Sequence, residues 1–145
     1  MSMFKLTDSA IDTASLQDLL ADERAGALVE FTGRVRNHNE GRLVISLEYE
    51  AAPSLATAEA DRILEEARQR FSLYNAVCLH RTGLLQVGEA AVYAAVIAAH
   101  RDEGFQACRY IIDEIKHRLP IWKKETYADG SSGWVNCRHH QELSV

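Results

Sequence analysis

Four cationic side chains lie close together near the C-terminal end of the sequence, around a proline and a large aromatic residue. They are Lys116, Arg118, Lys123 and Lys124, in the segment KHRLPIWKKE. A cluster of this kind can bind a small anion. The alternative is a solvated helix end, because cations near a helix C-terminus complement the helix dipole. That alternative fits Lys123 and Lys124 less well, since Pro120 cannot continue a helix, but charge and spacing alone leave both interpretations open.

Two further polar segments could contribute to an anion site. In the run 34–42, the guanidinium groups of Arg34 and Arg36 share one face if the preceding strand continues through them, and guanidinium groups bind phosphate well. His100 and Arg101 precede a predicted helix, whose first N–H groups could help to hold an anion. The alternatives are a solvated hairpin loop for the first segment and a helix cap with a packed imidazole for the second.

The strongest helix signal covers residues 102–118, where apolar residues recur at spacings of three and four. Lys116 flanks the predicted buried face, so its ammonium could be partly desolvated and useful in proton transfer. A straight helix would separate His100 from Lys116 by roughly 20 Å or more along its axis. If both ends serve one pocket, the simplest arrangement is a two-fold dimer that joins the His100 end of one subunit to the Lys116 end of the other. The predicted apolar stripe consists of Phe105, Cys108, Ile112, Ile115 and Leu119.

The remaining pattern predicts an α+β domain. Alternating apolar residues indicate strands from Ala27 and from Leu43, and these two strands are expected to pair across the polar loop between them. Pro53 begins a second core-facing helix, and the apolar run 90–99 predicts a buried strand. A further extended segment begins at Trp122. We therefore expect a two-layer fold in which two main helices cover one side of a mainly antiparallel sheet.

Composition indicates one domain over residues 1–145, with 136–145 as a loose polar tail. With 47% hydrophobic and 26% charged residues, the chain can bury a core without metals or disulfides. A net charge of −5, with the basic residues in short islands, argues against broad nucleic-acid binding. The three cysteines suggest neither a disulfide framework nor a zinc site, which favours a reducing, cytoplasmic compartment. No signal-peptide pattern and no apolar run of membrane length is present, so no membrane association is expected.

Several motifs follow one another in a fixed order along the chain. They are F-x-G-x-V-R-N-H-N-x-G from Phe31, L-E-Y from Leu47, H-R-x-G-x-L-x-V-G-E from His80, A-H-R from Ala99, K-x-R-x-P-I-W-K-K-E from Lys116, and W-V from Trp134. The similarity that they carry covers about residues 26–138, and the set is far more specific than any single motif. In this combination the chain resembles the large, catalytic subunit of molybdopterin synthase.

The resemblance implies an α+β fold of the α/β-hammerhead type and a dimer of large subunits. Each large subunit is expected to bind a small ubiquitin-like subunit, which gives a heterotetramer. The small subunit's C-terminal Gly-Gly thiocarboxylate is expected to enter a pocket of the large subunit. Two sulfur atoms then pass in succession to cyclic pyranopterin monophosphate, which forms the dithiolene of molybdopterin. The implied protein is a cytoplasmic sulfurtransferase of molybdenum cofactor biosynthesis that needs no metal or other cofactor for this step.

The resemblance also implies which residues form the site. Lys116 is the expected main catalytic residue, either in proton transfer or as an electrostatic clamp beside the terminal carbonyl of the tail, and Lys123 is the second. One alternative function is a non-catalytic adaptor that binds a ubiquitin-like partner through its anion pocket. Another is a plain α+β dimer whose charges have no chemical role. The expected substrate-pocket residues are Arg34, Val35, Arg36, His100, Arg101, Lys116, Lys123, Lys124, Glu125 and Arg138.

Overall fold

The computed structural model describes residues 3–136, with side chains described up to Trp134. Arg138 and most of the predicted tail therefore lie outside the described residues. Two α-helices occur in this part of the chain, α1 (Pro53–Arg70) and α2 (Arg101–Arg118), which confirms the two predicted main helices. None of the helices between residues 3 and 136 has the length and apolar content needed to cross a bilayer. The strands are β1 Met3–Thr7, β2 Ala27–Arg34, β3 His38–Asn39, β4 Arg42–Ala51, β5 Leu73–Arg81, β6 Gly83–Gln86, β7 Ala90–Ala98, β8 Ile121–Tyr127 and β9 Ser132–Asn136.

The first sheet has four strands in the order β1-β5-β7-β2. β1 runs parallel to β5, whereas β5, β7 and β2 pair antiparallel. Both α-helices cover one face of this sheet, and two short 3-10 turns, Thr13–Leu16 and Asp18–Leu20, cover the other. Because side chains alternate along a strand, Cys78 of β5 faces the helices and Val77 faces the turns. The predicted α+β class, with two helices on one side of a mainly antiparallel sheet, is confirmed.

α2 packs closely against the first sheet, and its buried face differs from the predicted one at Phe105. Phe105 was expected in the buried stripe, but its side chain is 61% exposed. The buried stripe instead begins at Gly104 and continues through Ala107 and Ile111. A Cβ atom at Gly104 would lie 2.8 Å from Cγ2 of Val29 on β2, which is too close for a packed core. The helix therefore approaches the sheet through a residue without a side chain, and the neighbouring phenylalanine is left outside.

The second sheet is built around β4, which pairs antiparallel with β8 on one side and with β6 on the other. β3 and β9 complete this sheet. The predicted pairing between β2 and β4 is therefore wrong, since β2 pairs with β7 instead. The physical reason lies at Val35, where the chain leaves the first sheet and packs in an apolar cluster with Leu47 of β4 and Leu85 of β6. This cluster joins the two sheets and carries β4 away from β2.

Arg118 holds the two α-helices together. Its guanidinium group lies 2.8 Å from Glu59 Oε2 and 2.7 Å from Glu66 Oε1, both on α1, and 3.1 Å from Glu114 Oε1 on α2. The hydroxyl of Tyr110 also donates to Glu66, at 2.7 Å. The hydrogen bond from Arg118, followed by the one from Tyr110, lowers the pKa of Glu66 to about 2. Of the four cations in the C-terminal cluster, Arg118 therefore has a structural role.

Replacing Glu66 with glutamine tests this cluster through the pH dependence of stability. The folded-state pKa of Glu66 lies below its ordinary value of 4.5, so the charged carboxylate stabilises the fold above pH 4.5. This contribution is lost as the pH falls through about 2. We expect the difference in free energy of unfolding between wild type and Glu66→Gln, from urea titrations, to be present near neutral pH and to shrink steadily below pH 4.5. Glu65→Gln, at an exposed neighbouring carboxylate, is the control; an equal pH dependence in the two variants would contradict the assignment.

Candidate functional site

A cavity of about 900 Å³ lies where the two sheets meet the C-terminal end of α2. The apolar walls come from both sheets and from α2: Val92 lies in the first sheet, Ile112 on α2 and Leu47 in the second sheet. A volume of this size accommodates a small organic ligand. The cavity lies there because the C-terminal ends of α2 and β2 and the N-terminal end of β7 meet near the apolar cluster of Val35, Leu47 and Leu85, which joins the two sheets.

Four lysine and arginine side chains line this cavity within residues 3–136. Arg34 at the end of β2, Arg36 in the following loop and Lys116 in the last turn of α2 are exposed. Lys123 on β8 is more enclosed, since its side chain is 16% exposed. Val35, between the two arginines, also lines the cavity. The fold thus brings two of the three basic segments, 34–42 and 116–124, to one place.

Glu125 is a buried carboxylate in the cavity wall, with 3% of its surface exposed. The side-chain amide of Asn39 donates to both of its oxygens, at 2.9 and 3.1 Å, and the hydroxyl of Tyr127 donates at 2.8 Å. The ammonium of Lys123 lies 3.9 Å from Oε2. A carboxylate can be buried only when hydrogen bonds of this kind replace those that it would make with water. They also fix the Glu125 side chain beside that of Lys123, and both lie on the cavity side of β8.

Four ring-bearing residues that sequence reasoning did not assign to the site also line the cavity: Phe31, His38, Tyr49 and His80. Nζ of Lys116 lies 5.9 Å from the ring centre of Phe31. The rings of Tyr49 and His80 meet edge to face, with centroids 5.1 Å apart. His80 is 8% exposed, and burial lowers its pKa to about 4. The signal in the sequence is a polar residue at the end of the apolar run Ala76–Leu79, which by itself indicates only a strand.

Three predicted site residues lie away from this cavity in a single chain. His100 and Arg101 are exposed at the N-terminal end of α2, and His100 makes no side-chain cap hydrogen bond. The alternative of a packed, capping imidazole is therefore wrong. At roughly 1.5 Å per residue, the 18 residues of α2 span about 27 Å, which places this end far from Lys116. Lys124 points to the opposite face of β8 from Lys123, with its Nζ 5.9 Å from the ring centre of Trp134.

The balance of charges in the cavity favours an anionic ligand that also has an apolar or aromatic part. Against the four cations stand two carboxylates, Asp113 and Glu125, and the second already accepts three hydrogen bonds. Lysine and arginine donors suit phosphate and carboxylate oxygens, whereas the apolar walls suit a ring system. In the part of the chain that the structure describes, no three His, Cys, Asp or Glu side chains are arranged to hold a metal ion.

Comparison with known proteins identifies the family of this chain. The family described as "MoaE protein" matches residues 6–118. A molybdopterin synthase catalytic subunit from Nostoc sp. is 42% identical over 134 residues, which covers 92% of this chain and 81% of the relative. The crystal structure of molybdopterin synthase from Staphylococcus aureus superposes with a TM-score of 0.85 at 35% identity, over 91% of this chain and 96% of that one.

A more distant structure shows the same fold. It is a protein-protein complex of subunits 1 and 2 of the molybdopterin-converting factor from Helicobacter pylori, with a TM-score of 0.72 at 20% identity. The alignment covers 91% of this chain and 89% of that chain. The family match over most of the chain and the relative at 42% identity together settle the classification. The chain belongs to the MoaE protein family, to which its molybdopterin synthase relatives also point.

Proposed function

We propose that this chain is the catalytic subunit of a molybdopterin synthase and transfers sulfur to cyclic pyranopterin monophosphate. The sulfur donor is the thiocarboxylated C-terminus of a small ubiquitin-like subunit, and two successive transfers form the dithiolene of molybdopterin. The observation that carries the proposal is the cluster of Arg34, Arg36, Lys116 and Lys123 around a cavity with apolar walls. A phosphate and a thiocarboxylate are both anions, so one basic cavity can hold the two reactants together.

Lys116 is the residue proposed to act on the reacting groups. Its ammonium lies in the last turn of α2, near the ring of Phe31 and on the cavity side of the helix. From this position it can offset the charge that develops as sulfur attacks and the cyclic phosphate opens, or it can transfer a proton. Lys123 is the second cation proposed to touch the reactants, and Glu125 fixes its position. Arg34 and Arg36 are proposed to bind the phosphate.

The proposal includes a partner and a second copy of the chain. The Helicobacter pylori structure is a complex of two different subunits, which supports a small-subunit partner here. His100 and Arg101 are exposed and lie one helix length from the cavity of their own chain, so a second copy is needed to bring them to a cavity. A homodimer with one small subunit on each chain meets both requirements. Cys78 and Cys108 are buried free thiols, which suits the proposed cytoplasmic location.

The proposed activity can be tested by reconstitution. The chain is incubated with a thiocarboxylated ubiquitin-like subunit and cyclic pyranopterin monophosphate, and the dithiolene product is measured. We expect product to form and two thiocarboxylates to be consumed for each pterin. The same small subunit with an ordinary carboxylate is the control and should give no product. Binding of the small subunit without any product would contradict the proposal and would favour the adaptor function.

A further inference from the structure

His80 is a buried imidazole with one nitrogen already in use. It lies near the end of β5, with 8% of its surface exposed, in the wall of the cavity between Tyr49 and Val92. Its Nδ1 lies 2.8 Å from the backbone carbonyl oxygen of Arg81. A carbonyl oxygen can only accept a hydrogen bond, so Nδ1 must carry the hydrogen. In a neutral ring, Nε2 then has a free lone pair and acts as an acceptor.

The surroundings of His80 keep this ring neutral near neutral pH. Burial is the main cause of its low pKa, and the positive charge of Lys116 on α2 lowers that pKa further. The hydrogen bond to the Arg81 carbonyl acts in the other direction but does not outweigh burial. Tyr49, the group that β4 places against the ring, makes an edge-to-face contact. The His80 ring therefore adds no second positive charge beside Lys116, and the hydrogen bond to the Arg81 carbonyl determines that Nδ1 carries the hydrogen.

The free nitrogen of His80 is open to the cavity. Within the described residues, Nε of Arg81 is the buried side-chain nitrogen or oxygen that lacks a hydrogen-bond partner. Nε2 of His80 also makes no hydrogen bond to a described residue, but unlike Nε of Arg81 it is not fully buried. It must therefore reach the surface of the cavity that the ring lines. Next to cationic donors such as Lys116, it supplies an uncharged acceptor.

We propose that His80 is a specificity-determining residue of this cavity, whose Nε2 accepts a hydrogen bond from a ring N–H of the bound pterin while the cations hold its phosphate. The inference rests on the proposed function and deepens it, because it assigns the recognition of the heterocycle to one atom. A phosphate has only acceptor oxygens to offer to the site, and lysine and arginine suit it. A reduced pterin ring carries N–H donors, and a neutral acceptor suits those. The two parts of the ligand are thus read by groups of opposite hydrogen-bonding character.

Nitrogen NMR of the histidine-labelled protein tests the proposal directly. The chain has six histidines, and the signals of His80 can be assigned through the bonded carbons of its ring. In the free protein near neutral pH, we expect Nδ1 to be protonated and Nε2 to be unprotonated. Cyclic pyranopterin monophosphate should shift the Nε2 signal in the direction of an accepted hydrogen bond, and inorganic phosphate should leave it unchanged. A protonated Nε2 in the free protein, or pterin binding without a shift, overturns the inference and leaves the proposed function standing.

Replacing His80 with phenylalanine tests the same contact by affinity. The variant keeps a ring against Tyr49 but has no acceptor, so we expect its Kd for cyclic pyranopterin monophosphate to rise about tenfold. Cys78→Ala is the matched control, since it disturbs the same face of β5 in the core and outside the cavity. An unchanged Kd in a folded His80→Phe variant overturns the inference. If the variant does not fold, the NMR experiment on the wild-type protein decides. Failure of the wild-type protein to bind the pterin at all contradicts the proposed function and the inference with it.

Discussion

Replacing Lys116 with alanine is expected to lower turnover at least about a hundredfold, because a cation that acts on the reacting groups contributes on this scale. Affinity for the small subunit should be retained, since the variant removes one exposed side chain and leaves the rest of the surface unchanged. The measurement is dithiolene formation in the reconstituted reaction, together with the Kd for the small subunit. Loss of turnover with retained affinity supports an enzyme and argues against a non-catalytic adaptor.

Two further variants define the role of Lys116 more closely. Lys5→Ala removes the same charge from an exposed position on β1, outside the cavity, and should leave turnover unchanged. Lys116→Arg keeps the positive charge, but arginine does not release its proton in proteins. Substantial activity in Lys116→Arg would indicate an electrostatic clamp, and low activity would indicate proton transfer. Intact sulfur transfer in Lys116→Ala would remove this residue from the mechanism.

A mixed dimer should recover activity that two inactive homodimers lack. One subunit carries Lys116→Ala and the other Arg101→Ala, and the mixed dimer is isolated through two different affinity tags. If Arg101 of one chain completes the cavity of the other, one of the two sites has both residues intact. We therefore expect about half of the wild-type turnover per dimer. The reason is the length of α2, which keeps Arg101 and Lys116 of one chain about 22 Å apart along the helix axis.

A second mixed dimer serves as the control for this experiment. Lys116 and Lys123 line the same cavity of one chain. A dimer of one Lys116→Ala subunit and one Lys123→Ala subunit therefore has a defect in each site and should stay inactive. Recovery in this control, or none in the first mixed dimer, would contradict a cavity shared between subunits. A strictly monomeric protein with full activity would also contradict it.

The local elements could be predicted from the sequence where one pattern continues over many residues. The predicted helix 102–118 differs from α2 by one residue, because spacings of three and four repeat along its whole length. The strand pairs could not be predicted in this way. β2 and β4 are separated in the sequence only by a short segment that contains β3, yet they lie in different sheets, which the cluster of Val35 and Leu47 joins. Strand pairing depends on apolar contacts between different segments of the chain, and the alternating pattern of one strand does not indicate which strand is its partner.

The functional site shows the same difference between what local patterns predict and what they do not. Arg36, Lys116 and Lys123 could be predicted because their charge is unusual next to apolar elements and because the motifs resemble one family. His80 and Asn39 were not assigned to the site. Each has its role through a partner in another segment, and the hydrogen bond of Asn39 to Glu125 joins residues that are 86 positions apart.

The sequence by itself determined the α+β class, the two helices and the presence of three basic segments, since these follow from composition and local spacing. Only the tertiary structure decided what each cation does. Lys116 lines the cavity, whereas Arg118, two residues later on α2, binds three glutamates between the helices. Lys123 and Lys124 are adjacent, yet they point to opposite faces of β8. Side chains of equal charge differ in role because the packing of distant elements determines whether each one contacts solvent, a ligand or a carboxylate.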